Sequence, residues 1–216
     1  MRRAIGWQKE AQLGGAEWVD VVLRADRLSA TGTAIGATPV PYRLDYDLDT
    51  GPGFVTRRLR VRSHGNGWRR HLDLWRADDG TWTADGTVAG EPVELSAATF
   101  ADPGASVETL ASLAGALDCD LGECPLTNTM PVLRRSLLQP SDPIDFVMAW
   151  VSVPDLSVRH SDQRYTFLEA GPGGGAVIRY ESGSFRADVR FDADGLVVDY
   201  PGLGRRLSAL DPVTKR

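Results

Sequence analysis

Two-residue alternation between apolar and charged side chains recurs along most of this chain and restricts its fold more than any other feature. In residues 40–48, Val40, Tyr42, Leu44, Tyr46 and Leu48 fall on one face, and Arg43, Asp45 and Asp47 on the other. Such a period marks a half-buried strand, because successive Cβ atoms leave opposite sides of the pleat. Phe185, Ala187, Val189 and Phe191 alternate in the same way with Arg186, Asp188, Arg190 and Asp192. Val55, Leu59 and Val61 partly oppose a row of Thr56, Arg58, Arg60 and Arg62, and Trp68, Leu72 and Leu74 oppose Arg69, His71, Asp73 and Trp75. Turn signals at Asp78-Asp79-Gly80 and Ala193-Asp194-Gly195 separate these runs. Further strands are read at 143–153, 163–169, 176–181, 196–200 and 203–210, with loops at 97–106 and 171–175. Residues 107–117 suit either a short helix or a connector. The fold class is therefore mostly β and antiparallel.

One stretch breaks this grammar. Residues 117–135, LDCDLGECPLTNTMPVLRR, carry three carboxylates, both cysteines and an arginine pair. If the segment is extended, Asp118 and Asp120 leave the same face about 6.6 Å apart. From Leu126 the spacing changes, and Leu126, Met130, Leu133 and Leu137 mark one face of a helix. Thr127, Asn128 or Thr129 is a candidate cap, and Pro131 fits only in the first turn. The expectation is an acidic strand running into a short buried helix.

The flanks of this stretch resemble one another. VVLRADRLSATG near residue 21 parallels AWVSVPDLSVRH near 149, PYRLDYDL at 41 parallels RYTFLEAG at 164, and Asp79-Gly80 parallels Asp194-Gly195. We read residues 1–216 as a single domain containing an internal duplication, with halves at about 17–90 and 143–210 around a central segment at 115–138. Two curved β halves would then flank one central helix.

Composition narrows the function classes. Hydrophobic residues make up 42% and charged residues 25%, ordinary values for a globular chain. A net charge of −5 gives no basic footprint for nucleic acid, so no nucleic-acid partner is expected. No apolar run approaches the roughly 20 residues of a membrane-spanning helix, and no apolar stretch follows the basic residues of MRRAIGWQKE, so no transmembrane segment and a cytoplasmic location are expected. Cys119 and Cys124 are too widely spaced for a CxxC motif and read as reduced packing residues. No cofactor or metal is expected: Leu196 occupies the fifth position of the Asp192-x-Asp194-Gly195 run, where a calcium loop needs a ligand. GPGGG lacks the Lys-Ser or Lys-Thr of a phosphate loop, and no Gly-x-Ser-x-Gly elbow is present.

The central stretch resembles that of a bacterial glycolipid-binding family, formerly a domain of unknown function. That family shows a Gly, then Asp-x-Asp, Thr-Asn-Thr, a Pro and an Arg pair. Asp118, Asp120, Thr127, Asn128, Thr129, Pro131, Arg134 and Arg135 match this pattern. The resemblance extends to LDYDL at 44–48, DDGTW at 78–82, residues 163–165 and DGLVVDYPGL at 194–203. Val132-Leu133 stands where the family tends to have one aliphatic residue. The resemblance implies a large antiparallel sheet wrapped around one helix, a homodimer, and an acidic pocket as the binding site. It also implies a remote similarity to lipoprotein carriers whose half-barrels hold acyl chains.

The candidate ligand-binding residues are Asp118, Asp120, Asn128, Arg134, Tyr46, Tyr165 and Trp75. The two aspartates can accept hydrogen bonds from sugar hydroxyls, or they can pair with Arg134 and Arg135. Asn128 is either a helix cap or a hydrogen-bonding group in a pocket. Adjacent helical residues diverge by about 100°, so at most one of Arg134 and Arg135 faces inward. Tyr46 and Tyr165 sit on apolar faces with a hydroxyl to satisfy, as pocket lining or as core. Trp75 alternates onto the polar face with His71 and Asp73, where its ring could stack on a sugar or a partner subunit. The leading expectation is non-catalytic binding of a glycolipid or another amphipathic envelope precursor, with the concave sheet taking the acyl part. The alternatives are an enzyme acting on a sugar or lipid-linked sugar through Asp118 or Asp120, and a structural or regulatory homodimer.

Overall fold

The computed structural model describes residues 1–93 and 100–207. Fourteen strands form one sheet. The first seven are β1 (Arg2–Lys9), β2 (Gly15–Leu23), β3 (Leu28–Gly36), β4 (Tyr42–Thr50), β5 (Thr56–Gly65), β6 (Trp68–Arg76) and β7 (Trp82–Ala89). The second seven are β8 (Asp118–Leu121), β9 (Ile144–Val151), β10 (Val158–Ala170), β11 (Ala176–Ser182), β12 (Phe185–Phe191), β13 (Val197–Tyr200) and β14 (Gly204–Arg206). Their spatial order is β7-β6-β5-β4-β3-β2-β1-β14-β13-β12-β11-β10-β9-β8. All neighbours are antiparallel except β8, which runs parallel to β9. Among the described residues there are two short α-helices, α1 (Val107–Ser112) and α2 (Thr129–Arg134), besides three 3-10 turns.

The alternation read from the sequence defines the inner face. Tyr42, Leu44, Tyr46 and Leu48 of β4, Leu59 and Val61 of β5, and Trp68, Leu72 and Leu74 of β6 are all buried. Outward positions carry cross-strand ion pairs: Arg58 with Asp73, Arg164 with Asp145, and Arg179 with Asp188. Exposed pairs of this kind add little to stability, so their main effect is to keep the outer face solvated and its register unambiguous. Two inner tyrosines lie flat across glycines on the neighbouring strand. A Cβ at Gly32 would come within 2.2 Å of the Tyr46 ring, and one at Gly36 within 2.3 Å of the Tyr42 ring. Gly32 is register partner of Tyr46, and Gly36 of Tyr42. The missing side chains make room for rings turned along the sheet.

The sheet curves but does not close by strand pairing. Residues 100–117 span the gap between its end strands. Gly104 exchanges backbone hydrogen bonds with Leu156 and Val158 at 3.1 and 2.7 Å, and the Thr56 amide donates to the Leu117 carbonyl at 2.9 Å. Arg76 Nε and Trp82 Nε1 both donate to the Ala116 carbonyl. Residues 107–112, left open between helix and connector, form α1, capped by the Ser106 side chain. Part of the loop read at 97–106 and of the strand read at 203–210 lies outside the described residues; within them β14 covers Gly204–Arg206.

The central segment fills the concave side. Pro125–Asn128 form a 3-10 turn that passes directly into α2, and Leu126, Met130, Val132 and Leu137 are fully buried. A continuous α-helix from Leu126 would have buried Leu133 instead of Val132. The opening 3-10 turn winds at about 3.0 residues per turn and so shifts the phase of everything after it. Leu133 packs instead over Gly195, where a Cβ would sit 2.6 Å from Leu133 Cδ2.

Several features recur between the halves. A 3-10 turn with Pro in its first turn joins β4 to β5 (Pro52–Phe54) and β10 to β11 (Pro172–Gly174). A hairpin follows each, and then an Asp-Gly turn. We propose a duplication on this basis.

Candidate functional site

Asp118 and Asp120 both turn from β8 toward the central segment, yet they meet different partners. Asp118 is buried and held by a two-pronged pair with Arg134, whose Nη1 donates to Oδ1 at 2.6 Å and whose Nη2 donates to Oδ2. Burial pushes the Asp118 carboxyl up, and the Arg134 guanidinium opposes the shift. Asp120 has only neutral partners: Gln163 Nε2 donates to Oδ2 at 2.7 Å and Thr127 Oγ1 donates to Oδ1 at 2.9 Å. Its carboxyl is also pushed up, first by burial, with Gln163 and Thr127 opposing and the Asp118 charge adding to the rise. The neighbouring acids therefore have separate roles. Asp118 locks the strand to α2, whereas Asp120 reaches a cleft.

That cleft encloses about 390 Å³ between the central segment and the β9–β13 part of the sheet. Its lining combines Asp120, Glu123 and Asn128, referred to below as the floor, with Tyr180 and Tyr200, with the apolar Trp150, Phe185 and Leu203, referred to as the rim, and with the polar Arg159, His160, Ser161 and Ser182. Its size is at the lower end of the roughly 300–1,000 Å³ typical of small-molecule sites. The tyrosine rings make an edge-to-face chain, Tyr165 to Tyr180 at 5.4 Å and Tyr180 to Tyr200 at 5.9 Å. Burial raises all three phenol pKa values, and the nearby Asp120 charge raises them further.

Asn128 is not a capping side chain. It makes no cap hydrogen bond; its Oδ1 accepts from the Tyr165 hydroxyl at 3.0 Å, and its Nδ2 donates to the Pro125 carbonyl. Arg134 is the inward member of the arginine pair. Tyr165 is buried behind the cleft floor, where its hydroxyl joins Asn128 and Gln163. Asp118, Asp120, Asn128, Arg134 and Tyr165 are thus brought together, Asp120 and Asn128 at the cleft surface and the others behind it. Trp75 is not among them; it is 47% exposed on the outer face of β6. Tyr46 belongs to a second buried network.

This second network was missed in the sequence. Tyr46 donates to Glu17 Oε1 at 2.5 Å, while Glu17 Oε2 is buried without a hydrogen-bond partner. Burial pushes Glu17 from an ordinary 4.5 up to about 7, against the Tyr46 hydrogen bond and the nearby Lys9 charge. Lys9 Nζ, itself buried, donates to Tyr42 Oη at 2.7 Å and to Glu123 Oε2 at 3.0 Å, and Tyr42 donates to the same carboxylate oxygen at 2.8 Å. Glu123 therefore joins this network to the cleft. Cys119 and Cys124 are buried free thiols, and burial pushes Cys119 up to about 12. Among the described residues, no three His, Cys, Asp or Glu side chains converge as a metal site, and no helix is long and apolar enough to cross a membrane.

A single curved, open β-sheet with a short helix against it defines the structural class. The chain belongs to the family described as "Putative glycolipid-binding", whose profile matches residues 4–206. It is also similar to a DUF1089-family protein from Pseudomonas aeruginosa known from its crystal structure, with 27% identity and a TM-score of 0.62 over 88% of this chain and 92% of that one. No curated protein matches the chain.

Proposed function

We propose that this protein is a non-catalytic binding protein that holds the polar head of an amphipathic ligand, a glycolipid or related envelope precursor, in the cleft above Asp120. The observation that carries the reading is that one cleft brings hydrogen-bonding groups, Asp120, Glu123 and Asn128, together with the apolar side chains of Trp150, Phe185 and Leu203. Ionised carboxylates take sugar hydroxyls as strong acceptors, and flat aromatic faces suit the apolar side of a sugar ring. The rest of the concave face is filled by the central segment, so the acyl part would leave along the rim instead of lying in the sheet's hollow. Each rim-buried methylene would contribute about 0.8 kcal/mol.

The geometry weighs against the two aspartates acting as an acid and base pair. Glycoside cleavage needs two carboxyls flanking the scissile bond, about 5–9.5 Å apart. Asp118 is locked by Arg134 behind the floor, and Glu123 is held by Lys9 and Tyr42. The test is native mass spectrometry of protein purified without organic extraction, followed by exposure to a panel of sugar-headed lipids. A stoichiometric adduct that Phe185→Asp weakens is the expected result. Absence of any adduct across the panel would overturn the proposal.

A further inference from the structure

We infer that the cleft selects a positively charged head, an organic ammonium such as an amino sugar or a quaternary amine, in preference to a neutral or anionic one. This deepens the reading of the cleft as an amphiphile site and rests on it. The acids nearby are already neutralised, Asp118 by Arg134 and Glu123 by Lys9. Asp120 is not. It faces the cleft with only an amide and a hydroxyl as partners, so a half-buried carboxylate is held without a counter-charge. A carboxylate in that position is costly unless a cation joins it.

The surrounding groups point to the form of that cation. Tyr180 and Tyr200 stand over the cleft beside Asp120 with their rings in edge-to-face contact, and aromatic faces attract ammonium groups through their quadrupoles. Tyr200 is only 4% exposed and lines the cleft together with Asp120. An ammonium in the cleft could meet the Asp120 carboxylate and these aromatic rings together. Two protein cations also line the cleft and compete for Asp120, and neither bonds to it. Arg159 stacks on the Trp150 ring at 5.9 Å, and His160 is bonded to the Ser112 carbonyl and to Asp162.

The test uses three amphiphiles with the same decyl chain, below their micelle concentrations: decyltrimethylammonium, decyl maltoside and decyl phosphate. Titration calorimetry on the full chain should show the ammonium binding about tenfold or more tighter than the other two, given the cation–π and charge contributions. Asp120→Asn should remove that preference, weakening decyltrimethylammonium by about tenfold or more relative to decyl maltoside, as a lost counter-charge requires. Tyr200→Phe should retain the trimethylammonium preference and Tyr200→Leu should reduce it, which keeps the inference testable if Asp120→Asn fails to fold. Equal binding of ammonium and maltoside, tightest binding of the phosphate, or an ammonium preference that survives Asp120→Asn would each overturn the inference while leaving the amphiphile site intact. Failure of all three to bind would remove the amphiphile site itself, and the inference with it.

Discussion

Replacing Glu17 by Gln should make the protein more stable at alkaline pH and change little at acidic pH. Glu17 is 2% exposed, and one of its carboxylate oxygens is buried with no hydrogen-bond partner. Its pKa rises on folding, from 4.5 to about 7. The native state therefore holds this proton more tightly than the unfolded chain does, and stability declines as pH climbs between those two values. Over the whole interval the decline is about 3 kcal/mol, at about 1.4 kcal/mol per pKa unit. Most of it, about 2–3 kcal/mol, falls between about pH 5 and about pH 8.5, within reach of experiment. The amide introduced by Glu17→Gln cannot titrate, so the variant lacks this slope. Urea unfolding of both proteins across that window gives the difference directly, and contributions common to both, such as those of the three histidines, cancel. The variant's advantage should grow by about 2–3 kcal/mol from the acid to the alkaline end. A difference that is flat with pH, or that shrinks as pH rises, would show that Glu17 is ionised throughout and refute the reasoning.

Lys9→Met should move the Glu17 titration further upward, because the Lys9 charge now lowers it; the Glu17→Gln advantage should then keep growing to higher pH before it levels off in that background. Arg134→Met leaves a buried Asp118 carboxylate unpaired and should cost about 3–5 kcal/mol in chemical denaturation, much of it recovered when Asp118→Leu is added. Gly32→Ala should destabilise by about 1–3 kcal/mol, since the new Cβ meets the Tyr46 ring, and Tyr46→Leu in the same chain should relieve much of the loss. At an ordinary strand glycine the same change would be favourable by about 0.5–1 kcal/mol, so thermal melts decide this one by its sign.

The inner face of the sheet was legible because its strands alternate strictly. Tyr42 to Leu48 and Phe185 to Phe191 needed no further information. β1 was not, because Ile5, Gly6 and Trp7 are buried in succession and break the period: β14 and residue 207 cover the outer side of Gly6, whose added Cβ would meet Leu207 at 3.0 Å. Within the candidate site, the clustering of Asp118, Asp120, Asn128 and Arg134 followed from their closeness in sequence. Their division of labour did not, since it depends on Gln163 and Tyr165 arriving from β10. Lys9 and Glu17 were missed because each is a lone charge on a different strand and only sheet register brings them to Glu123 and Tyr46. A signal existed: Glu17 is in phase with the buried Val19 and Val21, an acid at an inward position. Trp75 shows the converse, where the polar side of an alternating strand was simply the outside of the molecule.

The strand order has a consequence for how the molecule is assembled. Successive strands sit side by side through each half, but β1 pairs with β14, so the sheet is sealed at its middle by its first and last strands while mid-chain segments supply both free edges. Each half can zip up by local hairpins, whereas the seam must wait for the other end of the chain. Loop-closure entropy grows only by about 0.6 kcal/mol per doubling of length, so the long separation adds little to the equilibrium cost. It weighs on the rate instead, because non-local pairing is what slows folding. During synthesis the inner groups of β1, among them the Lys9 ammonium, would therefore stand beside an unfilled sheet edge until the second half arrives to cover it.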